Sequence, residues 1–272
     1  MKNIRQSFFK STSFKQRGFT MVEILVALVI SLFLVAGVIQ LFIGSKQTYR
    51  GYDALSRIQE NGRFALEAMA RDIRMARYFP RVVNQPVPNS TVTELTVMNQ
   101  NGVPWPDPFL LGAAPIIGVD NGNTDSIAIQ WLANDGVTFN SRRYSIGNRT
   151  GLPVTCPEAA TSLRVNQNDG NGAQELIEGV RSMEILYGED TAPAGTPPTP
   201  SVARLIGPAG GVTNWNNVVS VQINLLVVGL EGNLVTTPQS VNFSNGAGGQ
   251  TNVILNNRCL GQVFSTTIAL RN

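Results

Sequence analysis

The sequence predicts an α+β chain: one long N-terminal helix, transmembrane in its first half and amphipathic in its second, packed on a mostly antiparallel β-sheet domain. Three observations carry this. Ile24 to Ile43 is a twenty-residue apolar run in which only Ser31 and Gln40 are polar. No proline precedes Pro80, and helical spacing continues past the apolar run. After Pro80 the repeat shortens to two residues, with Gly-, Asn- and Asp-rich turns between the runs.

The first eighteen residues carry Lys2, Arg5, Lys10, Lys15 and Arg17 and no acid. Without them the formal charge falls from +3 to −2, so the basic pI of about 9.1 belongs to the leader and not to the domain. No basic stripe with interleaved aromatics lies downstream, which argues against a nucleic-acid partner. The chain has no histidine. That removes the commonest general base and metal ligand, together with every His-containing triad. No catalytic constellation assembles, and neither an enzyme nor a cofactor is expected.

The apolar run is about 30 Å long as a helix, the thickness of a hydrocarbon core. All the basic residues precede it, so the positive-inside rule puts the N-terminus in the cytoplasm and the remainder outside. On hydropathy alone this is an uncleaved signal anchor with Glu23 in the headgroup zone.

Helical spacing then runs on through Leu55, Ile58, Gly62, Ala65/Leu66, Met69, Ile73 and Ala76, one apolar stripe. Opposite charges fall at helical neighbours in Asp53–Arg57, Glu60–Arg63, Arg63–Glu67 and Glu67–Arg71. The expected helix covers Phe19 to about Tyr78. Gly37, Gly44 and Gly51 recur every seven residues, which fits either close helix approach or tolerated membrane glycines.

Strand-like runs follow at Thr91–Met98, Ser126–Leu132, Gly136–Tyr144, Leu176–Tyr187, Val218–Val228, Val235–Phe243 and Val263–Leu270. In the last, Phe264, Thr266, Ile268 and Leu270 share one face. Turns are expected at Asn101-Gly102, Asn121-Gly122, Asp169-Gly170 and Asn245-Gly246. Residues 191–200 and 244–250 are expected as loops.

Arg17-Gly18-Phe19-Thr20-Met21-Val22-Glu23 resembles the processing site of type IV prepilins. The resemblance implies cleavage after Gly18 by a prepilin peptidase and N-methylation of Phe19. It also places Glu23 fifth in the mature chain. There it would neutralise the Phe19 amine of a neighbouring subunit and fix axial register as helices stack in a low-dielectric environment. Gln59-Glu60-Asn61-Gly62-Arg63-Phe64-Ala65 and Ala70-Arg71-Asp72-Ile73-Arg74-Met75-Ala76 are similar to minor pilins of the PilW family. So are Trp215–Val221 and Phe264–Asn272.

The implied organisation is a leader at 1–18, a helix at 19–79 (transmembrane to 43) and a periplasmic β-rich domain at 80–272. The implied function is a minor pilin that primes type IV pilus assembly at or near the filament tip. Its partners would be other minor pilins, the major pilin, the inner-membrane assembly platform and a large tip adhesin. Adhesion and twitching motility follow from the pilus. The alternatives are a J-type pseudopilin of type II secretion and, from another class, a membrane-anchored periplasmic enzyme or binding module.

Cys156 and Cys259 would face an oxidising periplasm and are candidates for a disulfide; two buried thiols are the other reading. The loops Asp120–Asp125 and Asn166–Gly170 carry calcium-like side chains but lack the EF-hand spacing, and turn chemistry explains them as well. No metal is assigned. Trp105, Trp131 and Trp215 fit core packing better than a sugar-binding surface.

Overall fold

The computed structural model describes residues 18–76, 114–122, 124–132, 139–151, 154–167, 169–190, 204–207, 209–246 and 249–270. The leader to residue 17, the expected strand Thr91–Met98, Trp105, Asn101-Gly102 and the loop 191–200 lie outside them. The chain divides into a unit of residues 1–48 and one of residues 49–272.

Helix α1 spans Met21–Met75. Its first unit holds a window long and apolar enough to cross a membrane. In the second unit, α1 buries Ala54, Ile58, Gly62, Ala65, Met69, Ala70, Asp72 and Ile73. This is the expected stripe, entered at Ala54 where Leu55 was expected and widened by Ala70 and Asp72. On the outer side Asp53 and Arg57 close an i,i+4 pair at 3.1 Å.

Eleven strands follow among the described residues: β1 (Ile116–Val119), β2 (Ser126–Leu132), β3 (Phe139–Asn148), β4 (Thr161–Asn166), β5 (Ala173–Glu178), β6 (Val180–Glu189), β7 (Arg204–Gly207), β8 (Val218–Val228), β9 (Gln239–Gly246), β10 (Gly249–Leu255) and β11 (Gly261–Ala269). They form a meander β1-β2-β3-β4-β5, a sheet β11-β8-β6-β7 and a hairpin β9–β10. Every strand pairing is antiparallel.

Two differences from the sequence reading have local causes. The single run Leu176–Tyr187 is split between β5 and β6, because Gly179 turns the chain at φ +75°. Of residues 244–250, expected as a loop, 244–246 are the end of β9 and 249–250 the start of β10, while 247–248 lie outside the described residues. The Asn, Ser and Gly content reads as loop, but Gly246 pairs with Gly249 and Ser244 with Gln250.

The main core joins the helix stripe to both sheets. It holds Ile58, Ala65, Met69 and Ile73 with Ile116, Ile127, Ile129 and Leu163 of the meander and Met183, Ile185, Ile223, Leu225 and Ile268 of the four-stranded sheet. Along β11 and the residue after it, Ile268 and Leu270 are buried while Ser265, Thr267 and Ala269 are exposed, the alternation expected of one packed face. A second cluster forms under the hairpin from Leu226, Val228, Val241, Val253 and Leu255 around Cys156 and Cys259.

Candidate functional site

Two regions hold the residues of interest: the start of α1, and the seam between α1 and the sheets.

Gly18, Phe19 and Thr20 lead into the helix without secondary structure. Nothing lies within 4 Å of where a Cβ on Gly18 would be, and Phe19 is 80% exposed. Thr20 and Glu23 then form a reciprocal capping box. The Glu23 amide donates to Thr20 Oγ1, while the Thr20 amide and hydroxyl donate to Glu23 Oε2, all at 3.3 Å. Two of the otherwise unpaired donors at the helix start are thereby satisfied. The S/T-x-x-E spacing of Thr20-Met21-Val22-Glu23 is the signal that would have shown Thr20's part. It also explains why the helix starts at Met21 and not at Phe19.

At the seam, Gly62 lies against Phe264 of β11, so close that a Cβ at residue 62 would overlap the ring carbons. One turn from the end of α1, Asp72 is buried, at 1% exposure. Arg142 of β3 donates to both its oxygens, at 2.8 and 2.9 Å, and the Tyr144 hydroxyl donates to Oδ2 at 2.5 Å. Burial, then the neighbouring Asp72, pushes the Tyr144 phenol above its ordinary range. Arg142 also lies over the Trp131 ring, 5.6 Å from its centroid. At the other end of the seam Arg50 pairs with Glu231 at 2.9 Å. The sequence reading names Asp72 only within the block 70–76 and gives it no partner; Arg142 and Tyr144 lie 70 and 72 residues away in the chain, so no local pattern marks it.

Cys156 and Cys259 are joined by a disulfide, with Cα atoms 5.8 Å apart, and both are fully buried. Trp215 meets Tyr187 edge-on at 4.9 Å, and both Trp131 and Trp215 pack against the main core. Glu189 accepts from the Thr213 hydroxyl and the Thr213 and Asn214 amides, which holds its carboxyl below the usual range.

The two calcium-like loops are held by turn bonds. Asp120 accepts from the Gly122 amide, and Asp125 from the amides of Asn121 and, on β6, Ile185. Asp169 accepts from Asn171. No group of three or more Cys, Asp or Glu placed to hold a metal occurs among the described residues. Burial pushes Asp125 up to about 6. On β6, burial, then Asp125 and Asp120, push Glu184 up to about 8.

Residues 143–272 match the family model described as Type IV Pilus-assembly protein W, and residues 13–39 match the prokaryotic N-terminal methylation motif. Over these two segments the chain is similar to the PilW family of type IV pilin-like proteins. A pilin-like protein of Thermus thermophilus, PilA3, is 24% identical over 217 residues, which cover 74% of this chain and 82% of that protein. No solved structure matches. The PilW match starts at Arg143, between the two side chains that grip Asp72, and contains Phe264 and both cysteines. The methylation motif contains Gly18, Phe19, Thr20 and Glu23. The two matched segments therefore contain the capped helix start and the β side of the seam.

Proposed function

We propose that this chain is a minor pilin that primes type IV pilus assembly and is incorporated at or near the filament tip. The observation that carries the reading is the accessible Gly18–Phe19 junction followed at once by a capped, membrane-competent helix that continues into a PilW-family domain. Cleavage after Gly18 by a prepilin peptidase removes residues 1–18, and methylation follows on Phe19. Residues 19–43 cross the inner membrane once with the N-terminus cytoplasmic, residues 44–79 complete the helix, and residues 80–272 form the periplasmic domain.

An assembly platform then draws the subunit from the bilayer to other minor pilins and the major pilin. Glu23 meets the Phe19 amine of a neighbouring subunit, which removes the cost of burying an unpaired ammonium. The domain's exposed surfaces are left for lateral subunits and for a large tip adhesin. The role is structural: side chains hold and pack, and no bond is made or broken by this chain.

The test is mass spectrometry of filaments sheared from cells. A methylated peptide beginning at Phe19 in the filament fraction is the expected result. A cleaved form confined to the inner membrane would point to a pseudopilin or an assembly factor that stays behind. Intact Met1 in every fraction would sink the processed-subunit reading.

A further inference from the structure

Tyr49 and Tyr52 are 74% and 69% exposed, although each is large and mostly apolar. They are three residues apart on α1 and so share a side. Ile58, buried in the main core, lies nine residues and two and a half turns beyond Tyr49, on the opposite side of the helix. The tyrosines therefore face away from the β domain. Between them Arg50 is turned to that domain by its pair with Glu231 at 2.9 Å.

We propose that Tyr49 and Tyr52 seat this chain at the outer lipid–water interface, with their rings among the headgroups of the bilayer that residues 24–43 cross. The inference rests on reading that run as the membrane-spanning segment. Tyr49 lies six residues beyond Ile43, about 9 Å along a helix, and Tyr52 about 13 Å. Helical side chains lean toward the N-terminus, so each ring reaches back toward the apolar run. The headgroup layer is about 5–8 Å deep on each side, which places the Tyr49 ring inside it and the Tyr52 ring at its outer margin.

The chemistry fits that layer. A tyrosine presents an apolar body and a polar tip, the combination favoured where one end is greasy and the other wet. Lys46, between Ile43 and Tyr49, has the long stem and charged head that reach phosphates from a similar depth. A helix–helix contact built for close approach would instead use small residues. Two exposed tyrosines match a lipid surface better than such a contact.

The test uses the full chain in phospholipid nanodiscs with single nitroxide labels. The two native cysteines are disulfide-bonded and do not label. Labels are placed by Leu34→Cys, Thr48→Cys, Tyr49→Cys, Tyr52→Cys and Glu67→Cys, and depth is read from collisions with oxygen against a polar nickel chelate. Position 34 is expected deep in the hydrocarbon, position 67 aqueous, and positions 49 and 52 at headgroup depth, in that order. In a chain labelled at Thr48→Cys, replacing both tyrosines with serine should shift the label toward water. If positions 49 and 52 match position 67 while position 34 is deep, the interface seat is wrong and the spanning segment stands. Protection of both positions only in assembled filaments would assign them to a protein contact and overturn the lipid reading. An aqueous position 34 overturns the spanning segment and this inference with it.

Discussion

Gly62 of α1 and Phe264 of β11 are in direct contact: the ring occupies the space a side chain at residue 62 would need. The two residues sit 202 positions apart, and each lies in a block that resembles the PilW family. Their contact gives those blocks a physical reason. The helix needs a notch at residue 62 so that the last strand can lie against it. Gly62→Ala in the full chain should cost about 1–3 kcal/mol by overpacking. Gly62→Ala with Phe264→Leu should recover part of that loss, because the smaller side chain vacates the space. Urea unfolding of the single and double variants in detergent checks both. Equal losses in the two would show that the pair does not interact.

Asp72 fixes the other end of the seam to the meander. Tyr144→Phe removes one hydrogen bond to a charged acceptor and should cost about 1.5–3 kcal/mol. Asp72→Ala removes the charge and leaves both Arg142 and Tyr144 without it, so the loss should be larger, about 3 kcal/mol. Arg142 keeps 34% of its side chain in solvent, which holds that figure to the low end for a broken buried pair. Unfolding free energies of the two variants, with the double variant for coupling, test the ranking. A smaller loss for Asp72→Ala than for Tyr144→Phe would contradict it.

The capping box makes Thr20 a partner of Glu23 within one chain. Thr20→Ala should weaken the first turn of α1 by about 0.5–2 kcal/mol, the usual cost of a lost N-cap. The readout is amide hydrogen exchange in micelles, where Val22, Glu23 and Ile24 should exchange faster while the helix from Gly44 onward is unchanged. Unaltered exchange at those three amides would mean the box holds nothing.

The bond between Cys156 and Cys259 closes a separation of 103 residues and ties the chain before β4 to the chain before β11. In the chain-entropy account a loop of that length contributes about 4–5 kcal/mol through the unfolded state. Cys156→Ser with Cys259→Ser should lower the unfolding free energy by an amount of that order. Reductant should destabilise the native chain and leave the double variant unmoved. A native chain indifferent to reductant at its unfolding midpoint would contradict the contribution.

The helix, its apolar stripe, and strands β2 and β8 are legible in the sequence because each has a strong local signal. Ser126–Leu132 and Val218–Val228 are β-branched runs that coincide with the observed strands. Strands β4, β7 and β10 are not legible: they are short or polar, and pairing across the sheet, not their own composition, makes them extended. Glu184 illustrates the same limit for single residues. Nothing near it in sequence says that a glutamate on β6 stands opposite Asn224 of β8 with both buried.

Glu184 gives the pH dependence its sign. The residue is 3% exposed, and its Oε1 has no hydrogen-bond partner among the described residues. Burial and the charges of Asp125 and Asp120 raise it from 4.5 to about 8, and burial raises Asp125 from 3.8 to about 6. Both groups hold their protons more tightly folded than unfolded. The stability they supply is complete below the unfolded values near pH 4, and is lost as pH rises through about 6 for Asp125 and about 8 for Glu184. The protein should therefore weaken between pH 5 and pH 8, the reverse of a chain governed by salt-bridged carboxylates. Glu184→Gln keeps the shape and removes the titration, so it should lie close to the parent at pH 5 and exceed it at pH 8 by on the order of 3–4 kcal/mol. Urea unfolding at the two pH values decides the point. A Glu184→Gln variant as pH-sensitive as the parent would place the titration elsewhere.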